Sequence, residues 1–210
     1  MAEPSSADRF AVRADGYDET DYRLRYVDEM ARAIRERVPL SPETILLDFG
    51  AGTGLLTERL APFVSTIHCV DISESMISQL EQKAPRLPCA IHTLRRDLTR
   101  GELPKLKVDG IVSTMTLHHI EDPLALLKRL GTLLRPGGFV AICDVDTEDG
   151  SFHTVDTGVM HYGFEREQIH DWLGEAGFAE VRVEDASTIV KPHGSYSAFV
   201  ATGVMRNAGS

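Results

Sequence analysis

Three glycines at alternate positions follow an apolar run and an acid in the segment Ile45-Leu46-Leu47-Asp48-Phe49-Gly50-Ala51-Gly52-Thr53-Gly54. Alternate glycines let a chain turn sharply and bring bare backbone against a ligand, and amides at the start of the next helix attract an anion. The segment therefore predicts a strand that leads into a cofactor-binding loop. A dinucleotide fingerprint has the order G-x-G-x-x-G, and Leu55 stands where its third glycine belongs. This spacing disfavours a pyrophosphate ligand.

Three acids follow apolar runs at intervals that suit a nucleoside. Asp48 precedes the glycines, Asp71 lies 21 residues after Gly50, and Asp97 follows a third apolar run. An acid about 20 residues beyond the first glycine accepts the ribose hydroxyls in a βαβ nucleotide unit. Taken singly, each acid is more typical of a structural residue: Asp48 of a helix cap, Asp71 of a turn and Asp97 of a solvated loop. Their combination with the glycines favours the cofactor interpretation.

The acid followed by G-x-G-x-G resembles motif I of the class I S-adenosylmethionine-dependent methyltransferases. The resemblance implies S-adenosylmethionine as the cofactor, with the glycine loop against its methionine part and Asp48 receiving its amino group. It places Asp71 at the ribose hydroxyls, Met76 on one wall of the adenine slot, and Asp97 with Leu98 at the adenine ring. Met76 also has a simpler interpretation, because a methionine on an apolar helix face is usually a core residue. The implied cofactor-binding residues are Asp48, Gly50, Ala51, Gly52, Thr53, Gly54, Asp71, Ile72, Met76, Asp97, Leu98, Ser113 and Thr114.

The segment Ser113-Thr114-Met115-Thr116-Leu117-His118-His119-Ile120 looks like the Leu-His-His turn of methyltransferases that act on small molecules. By that resemblance Ser113 and Thr114 flank the methionine part of the cofactor, and His118 and His119 lie near the site of methyl transfer. Methyl transfer is an in-line displacement, so alignment of the two bound molecules is the main requirement. A histidine is suited to take a proton from the acceptor. The alternative is that one histidine packs under the loop and the other shapes the pocket.

Further candidates belong to segments that we expect to cover the site. His153 and His161 lie in the segment 146–162, which is rich in Asp, Thr, Gly and His and predicts a loop over the carboxyl ends of the strands. The segment Ala14-Asp15-Gly16-Tyr17-Asp18 resembles one that precedes the core in this group, where the tyrosine helps to close the site. Tyr17 is equally typical of a residue that anchors an N-terminal helix.

Apolar runs of strand length alternate with helical segments from residue 44 onward, which predicts a parallel sheet with right-handed crossovers. The expected class is a doubly wound, Rossmann-like α/β fold with its ligand between the first and fourth strands. The family resemblance implies seven strands, mostly parallel with an antiparallel last strand, and helices on both faces. We expect a helix from Pro123 to Leu134 and a strand from Gly138 to Asp144. Residues 1–40 are expected to form an N-terminal helical cap and residues 41–210 the cofactor-binding core.

The composition narrows the class of partner. The 210 residues carry a net charge of −10 without a long cluster of lysine and arginine, so a nucleic-acid partner is disfavoured. Three cysteines without a C-x-x-C pair predict neither a disulfide framework nor a zinc site. No apolar stretch approaches the roughly 18 residues of a membrane span, and the N-terminus lacks a signal-peptide pattern. The expectation is a cytoplasmic monomer or homodimer with no membrane partner.

These observations favour a methyltransferase that acts on an N, O, C or S atom of a small molecule. The general resemblance is to the group that includes ubiquinone and menaquinone biosynthesis methyltransferases, which does not fix the substrate. Two alternatives stay open: a non-catalytic subunit that binds S-adenosylmethionine, and an NAD-binding oxidoreductase, which Leu55 and the lack of a Tyr-x-x-x-Lys pair disfavour. Asp144 and Asp146 are able to hold a metal, but the acid-amide pattern of catechol-type enzymes is missing. The sequence therefore predicts no metal.

Overall fold

The computed structural model describes residues 21–155 and 157–206, which form one mixed seven-stranded sheet with helices on both faces. The helices are α1 (Asp21–Arg37), α2 (Leu55–Leu60), α3 (Glu74–Lys83), α4 (Pro123–Gly131) and α5 (Arg166–Glu175). The strands are β1 (Ile45–Phe49), β2 (Thr66–Asp71), β3 (Ala90–Arg95), β4 (Val108–Thr114), β5 (Leu134–Val145), β6 (Phe178–Lys191) and β7 (Gly194–Met205). Short 3-10 turns cover Ala61–Phe63, Ala84–Arg86 and Leu117–His119.

The strands lie in the order β3-β2-β1-β4-β5-β7-β6. Strand β1 pairs in parallel with β2 on one side and with β4 on the other, so the winding of the chain reverses between β1 and β4. Strand β7 is inserted between β5 and β6 and is antiparallel to both. The predicted doubly wound fold with an antiparallel last strand is confirmed. The carboxyl ends of β1, β2 and β4 meet at one edge, where such sheets bind ligands.

The central strand β1 is buried on both faces, which explains its nearly continuous apolar sequence. Leu46 and Leu47 are both 0% exposed and point to opposite faces of the sheet. Leu46 packs in a core with α1, α2 and α3, whereas Leu47 packs in a second core with α4 and α5. The sheet is therefore covered on both sides and holds its carboxyl edge in a fixed position.

The start of β5 differs from the sequence-based prediction. Helix α4 ends at Gly131, and β5 begins at Leu134 rather than at Gly138. Leu134 pairs with Val108 and Phe139 pairs with Gly110, so the residues between Leu134 and Phe139 bulge out of the ladder. A proline cannot donate a hydrogen bond to the ladder, and glycine favours a bulge. Because Pro136 and Gly137 interrupt the apolar sequence of the strand, the sequence did not indicate that the strand begins at Leu134.

Helix α1 packs on the antiparallel end of the sheet. The Arg37 Nε atom lies 2.9 Å from the Glu184 carboxylate on β6, and the Ser187 hydroxyl donates to the Glu29 carboxylate at 2.6 Å. Four residues of the helix, Met30, Ala31, Ala33 and Ile34, are at most 5% exposed. The described part of the predicted cap is thus packed against the core, and the boundary at residue 40 stays a prediction. None of the helices in the described ranges is long and apolar enough to cross a bilayer.

Candidate active site

A cavity of about 630 Å³ opens at the carboxyl ends of β1, β2 and β4. Its volume is within the range of sites for small molecules. The N-terminal helix α1 also reaches it through Arg23, Tyr26 and Val27. The wall includes these residues singled out from the sequence: Gly50, Ala51, Gly52, Thr53, Asp71, Ile72, Met76, Asp97, Leu98, Thr114 and His119.

The glycine loop after β1 has the backbone conformation that its sequence requires. Gly50, Gly52 and Gly54 have φ values of 70°, 55° and 86°, which L side chains rarely adopt. At Gly50 a Cβ atom would lie 2.3 Å from the Thr116 side chain, so this glycine is needed for packing. At Gly52, which lines the cavity, a Cβ atom would meet nothing within 4 Å. The bare backbone at Gly52 is therefore a surface on which a ligand fits.

Asp71 lies at the end of β2 beside this loop, and its carboxylate is fixed by two backbone amides. Gly52 N donates to Asp71 Oδ2 and Ser73 N donates to Asp71 Oδ1, each at 2.8 Å. Burial raises the pKa of Asp71 above its ordinary value, although these amides oppose the shift. A carboxylate has about four acceptor sites, so two oxygens held in this way can still accept hydroxyl groups from the cavity. The geometry fits a diol such as a ribose.

The structure places Asp48 behind the cavity wall and not on it, and the role of receiving an amino group stays a prediction. Asp48 is 1% exposed, and the Thr57 hydroxyl of α2 donates to its Oδ2 atom at 2.6 Å. Gly54 packs against Leu80, and Ser113 is turned away because its hydroxyl donates to the Phe49 carbonyl at 2.7 Å. These three predicted residues support the loop from behind. Their sequence position before or after the loop could not reveal the direction of the side chain.

The Asp48 carboxyl should make the stability of the protein depend on pH. Burial raises the pKa of Asp48 from 3.8 to about 7, with a smaller contribution from the charge of Asp71, while the Thr57 hydrogen bond opposes the shift. The folded state thus binds more protons than the unfolded state between these pH values, so stability is lost as the pH rises toward 7. The full shift corresponds to up to about 4 kcal/mol.

We expect Asp48→Asn to flatten this pH dependence, because asparagine does not ionise. The measurement is urea unfolding of both proteins between about pH 5 and pH 8, with the change in unfolding free energy as the readout. Burial of the asparagine amide changes the unfolding free energy of the variant by the same amount at each pH. Only the slope of the unfolding free energy against pH is therefore compared. Asp71 shifts in the same direction, and part of the slope should persist. Equal slopes for the two proteins would contradict the assignment.

The wall on the side of β2 and β3 combines apolar residues with polar and charged ones, which include Arg96, Asp97 and Arg100. Met76 is 3% exposed and Leu98 is 0% exposed, yet both contribute to the cavity. Ser73 caps the helix that carries Met76 by accepting a hydrogen bond from Met76 N at 3.4 Å. Asp97 accepts hydrogen bonds from the Thr99 amide and hydroxyl at 2.9 and 2.6 Å. This arrangement suits a flat aromatic ligand with polar groups on its edge.

At the opposite end of the cavity, a buried histidine on the turn after β4 pairs with an acid on β5. His118 is 2% exposed, and its Nδ1 atom donates to Asp144 Oδ1 on β5 at 2.6 Å. The backbone amides of His118 and Val145 also donate to the Asp144 carboxylate, at 3.2 and 2.8 Å. Burial alone would raise the pKa of Asp144, but attraction to His118 and the hydrogen bonds outweigh it, so the pKa lies below its ordinary value. His118 is therefore held behind the cavity.

His119 lies on the cavity wall, next to the loop predicted from residues 146–162. Its Nδ1 atom donates to the Gly158 carbonyl at 3.3 Å. His153 brings its Nε2 atom to 3.2 Å from Nε2 of His118, and His161 Nε2 donates to the Ile120 carbonyl at 2.9 Å. The structure thus brings His118, His119 and His153 together, whereas His161 ties the loop to the turn. Tyr17 lies outside the described residues.

Sequence reasoning did not single out Thr157, a polar residue of this wall. Thr157 is 4% exposed and lines the cavity, and its hydroxyl has no hydrogen-bond partner among the described residues. A buried hydroxyl without a partner costs about 1 to 3 kcal/mol, so a ligand that bonds to it is favoured. The segment has no periodicity, and a lone threonine in it carries no signal. Thr57 and Asp144, which hold Asp48 and His118, were not assigned these roles either.

The strand order, the glycine loop and the cavity together are typical of a doubly wound domain that binds a cofactor. The chain matches the family model described as a methyltransferase domain over residues 21–183, and it belongs to that family. The predicted class, the class I S-adenosylmethionine-dependent methyltransferases, is thereby confirmed, and with it S-adenosylmethionine as the cofactor of the class.

Individual relatives support the same family. A methyltransferase of Mycobacterium tuberculosis, named as uncharacterised, is 39% identical over 105 residues, which are 50% of this chain and 52% of that protein. Phosphoethanolamine N-methyltransferase 3 of Arabidopsis thaliana is 30% identical over 165 residues, which are 75% of this chain and 33% of that protein. The matches to these curated relatives thus take in about half of their length or less.

A solved structure is similar over the whole fold. A methyltransferase of Haloferax volcanii, solved in a complex with the Trm112 methyltransferase activator, has a TM-score of 0.77 and 14% identity, with 99% of this chain and 100% of that chain covered. At this identity the likeness concerns the fold alone.

Proposed function

We propose that this chain transfers a methyl group from S-adenosylmethionine to a small-molecule acceptor. The observation that carries the proposal is the open backbone of Gly52 beside the fixed carboxylate of Asp71, both on the wall of one cavity at the β1/β4 reversal. This pairing supports a ligand with a diol and a compact charged part, and the family of the chain supports S-adenosylmethionine as that ligand.

The residues on the wall fall into three groups, and each group would hold one part of the cofactor. Asp71 and Ile72 would hold the ribose, and Met76, Asp97 and Leu98 would enclose the adenine. The methionine part would lie on the loop from Gly50 to Thr53, with Thr114 opposite. Asp48, Gly54 and Ser113 would act indirectly by holding that loop. The bound cofactor supplies an electrophilic sulfonium methyl group.

The acceptor would bind at the end of the cavity that is formed by His119, Thr157 and Met160. The hydroxyl of Thr157 would bond to a polar group of the acceptor, and His119 would accept a hydrogen bond from the atom that receives the methyl group. His118 would be a positioning residue, because its contact with Asp144 fixes the turn that carries His119. Accurate placement matters, since a shift of about 1 Å in a reacting group can cost about 100-fold in rate.

Two further observations support a small acceptor. The net charge of −10 opposes a polynucleotide partner. The Arabidopsis relative is named as acting on phosphoethanolamine, a small amine. Small amines, phenols and quinone precursors are therefore the first acceptors to examine. The alternative of a subunit that binds the cofactor without catalysis predicts binding but no transfer to any acceptor.

The test is an assay with methyl-labelled S-adenosylmethionine against a panel of such acceptors, with transfer RNA and a protein extract as competing classes. We expect label in a small molecule. With the best acceptor, His119→Ala should lower kcat about 100-fold and leave cofactor affinity unchanged. Thr157→Val should instead raise the acceptor KM about 10-fold, because it removes one hydrogen bond.

The stability of the second variant provides its control. Thr157→Val removes a buried hydroxyl without a partner among the described residues, so the variant should be at least as stable as the wild type. Label found only in RNA or protein would overturn the small-molecule proposal. Cofactor binding with no transfer to any class of acceptor would favour the non-catalytic alternative.

A further inference from the structure

Three histidine side chains converge beside the cavity, and the reaction proposed above does not require all three. His118, His119 and His153 each offer a ring nitrogen, and these nitrogens all lie within 4.8 Å of one another. The ring centroid of His118 lies 4.3 Å from that of His119 and 5.2 Å from that of His153. We propose that the three imidazoles form a binding site for a divalent transition-metal ion, with zinc as the representative ion.

The distances suit a zinc ion. Zinc binds histidine nitrogen at about 2.0 to 2.1 Å in tetrahedral geometry, which separates two ligand nitrogens by about 3.3 Å. Nε2 of His118 and Nε2 of His153 are 3.2 Å apart. Two ligand atoms are thus already at the separation that a shared ion requires, and the third lies within 4.8 Å of both.

The hydrogen bonds that His118 and His119 make through Nδ1 are of the kind that is typical of metal-binding histidines. A ligating histidine nearly always donates its other ring N–H to a carboxylate or a backbone carbonyl, which fixes the tautomer. His118 donates Nδ1–H to the Asp144 carboxylate, and His119 donates Nδ1–H to the Gly158 carbonyl. In the neutral rings both Nε2 atoms are therefore unprotonated and able to coordinate. One shared proton between two rings would explain the 3.2 Å contact, but it would not account for the third ring.

The third ligand comes from the loop, and its position is secured by the neighbouring residue. Phe152 is 4% exposed and packs edge-on against Tyr196 at 5.1 Å between ring centroids. The Phe152 amide also donates to the Glu148 carboxylate at 2.9 Å. His153 is thus carried by an anchored part of the loop, and an ion bound there would join this loop to the turn after β4.

Such an ion would lie at the acceptor end of the cavity, because His119 is part of the wall there. Three protein ligands leave a coordination position open, as in zinc sites that bind a water or a substrate. The inference goes beyond the proposed function, since metal binding is measured without S-adenosylmethionine. In the metal-bound state the Nε2 atom of His119 would coordinate the ion and would no longer contact the acceptor directly. The acceptor would instead bind to the ion at its open coordination position.

The test is titration of the chelator-treated protein, purified without a histidine tag, with Zn²⁺ and separately with Mg²⁺. We expect one Zn²⁺ per chain with submicromolar affinity, and no binding of Mg²⁺, which prefers oxygen ligands. His153→Gln should weaken Zn²⁺ binding at least about 10-fold, and Asp144→Asn should weaken it about 10- to 100-fold. Thermal unfolding without metal checks that each variant is folded.

The matched control is His92→Gln. His92 on β3 stacks on His68 of β2, with 5.1 Å between ring centroids, so it belongs to a pair of histidine rings outside the proposed site. The control should bind Zn²⁺ as the wild type does. Equal Zn²⁺ affinity in His153→Gln and the wild type, loss of binding in His92→Gln instead, or no stoichiometric binding would each overturn the proposal.

Discussion

Asp71→Ala should weaken the binding of S-adenosylmethionine about 1,000-fold, the largest effect that we expect from a single substitution. The carboxylate is the acceptor placed for two ribose hydroxyls, and each hydrogen bond to a charged group is worth about 1.5 to 3 kcal/mol. Their joint loss corresponds to about three orders of magnitude in affinity. The variant also removes the acceptor of the Gly52 amide, which holds the glycine loop in place. The measurement is calorimetric titration with S-adenosylmethionine.

Asp109→Ala is the control for this variant. Asp109 also accepts a backbone amide, from Ile45 at 2.8 Å, and pairs with Arg135 at 2.6 Å. It lies at the start of β4, at the opposite edge of the sheet from the cavity. Its replacement should lower stability and leave cofactor affinity within about 2-fold of the wild type, because no ligand contact is lost. Tight binding by Asp71→Ala would count against the ribose assignment.

Gly52→Ala should weaken cofactor binding by up to about 100-fold, although alanine is the smallest possible addition. The new methyl group would meet no protein atom within 4 Å, so its steric effect falls on the ligand alone. Overpacking of a close contact costs about 1 to 3 kcal/mol, and the amide beside it would be moved as well. Calorimetric titration measures the affinity, and thermal unfolding measures the cost of a φ value of 55°.

Gly137→Ala provides the matched control because both glycines have a positive φ. Gly137 has a φ of 73° and likewise has nothing within 4 Å of a Cβ atom. It lies in the bulge of β5, at the amino edge of the sheet. Both variants should lose a similar free energy of unfolding, about 1 to 2 kcal/mol, and only Gly52→Ala should lose cofactor affinity. Equal affinities in the two variants would place the cofactor away from this loop.

Much of the fold could be predicted because its signals are local. The runs that form β1, β2 and β4 are buried on both faces, and their apolar sequences have the length of strands. Ser73 caps a helix at the position that the sequence indicates. The reversal between β1 and β4 then follows from the order of the elements. The predicted start of β5 was wrong because Pro136 and Gly137 interrupt the apolar pattern within a single strand.

The candidate site was less predictable because it depends on directions and on distant pairs. Spacing placed Asp71 and Gly52 on the cavity wall, since both end or follow strands at one edge. It could not show that Asp48 turns inward to Thr57, because a strand residue before a loop can face either way. It also could not bring together His118 and His153, which are 35 residues apart and meet only through the loop. The sequence-based prediction of no metal rested on local ligand spacing, which this cluster lacks.

The central claim is that the cavity binds S-adenosylmethionine rather than a dinucleotide. The most direct test is parallel calorimetric titration of the purified protein with S-adenosylmethionine, S-adenosylhomocysteine and NAD. We expect the first two to bind with micromolar affinity and NAD not to bind, because Leu55 replaces the third glycine of the dinucleotide loop. Binding of NAD alone, or of none of the three, would contradict the account.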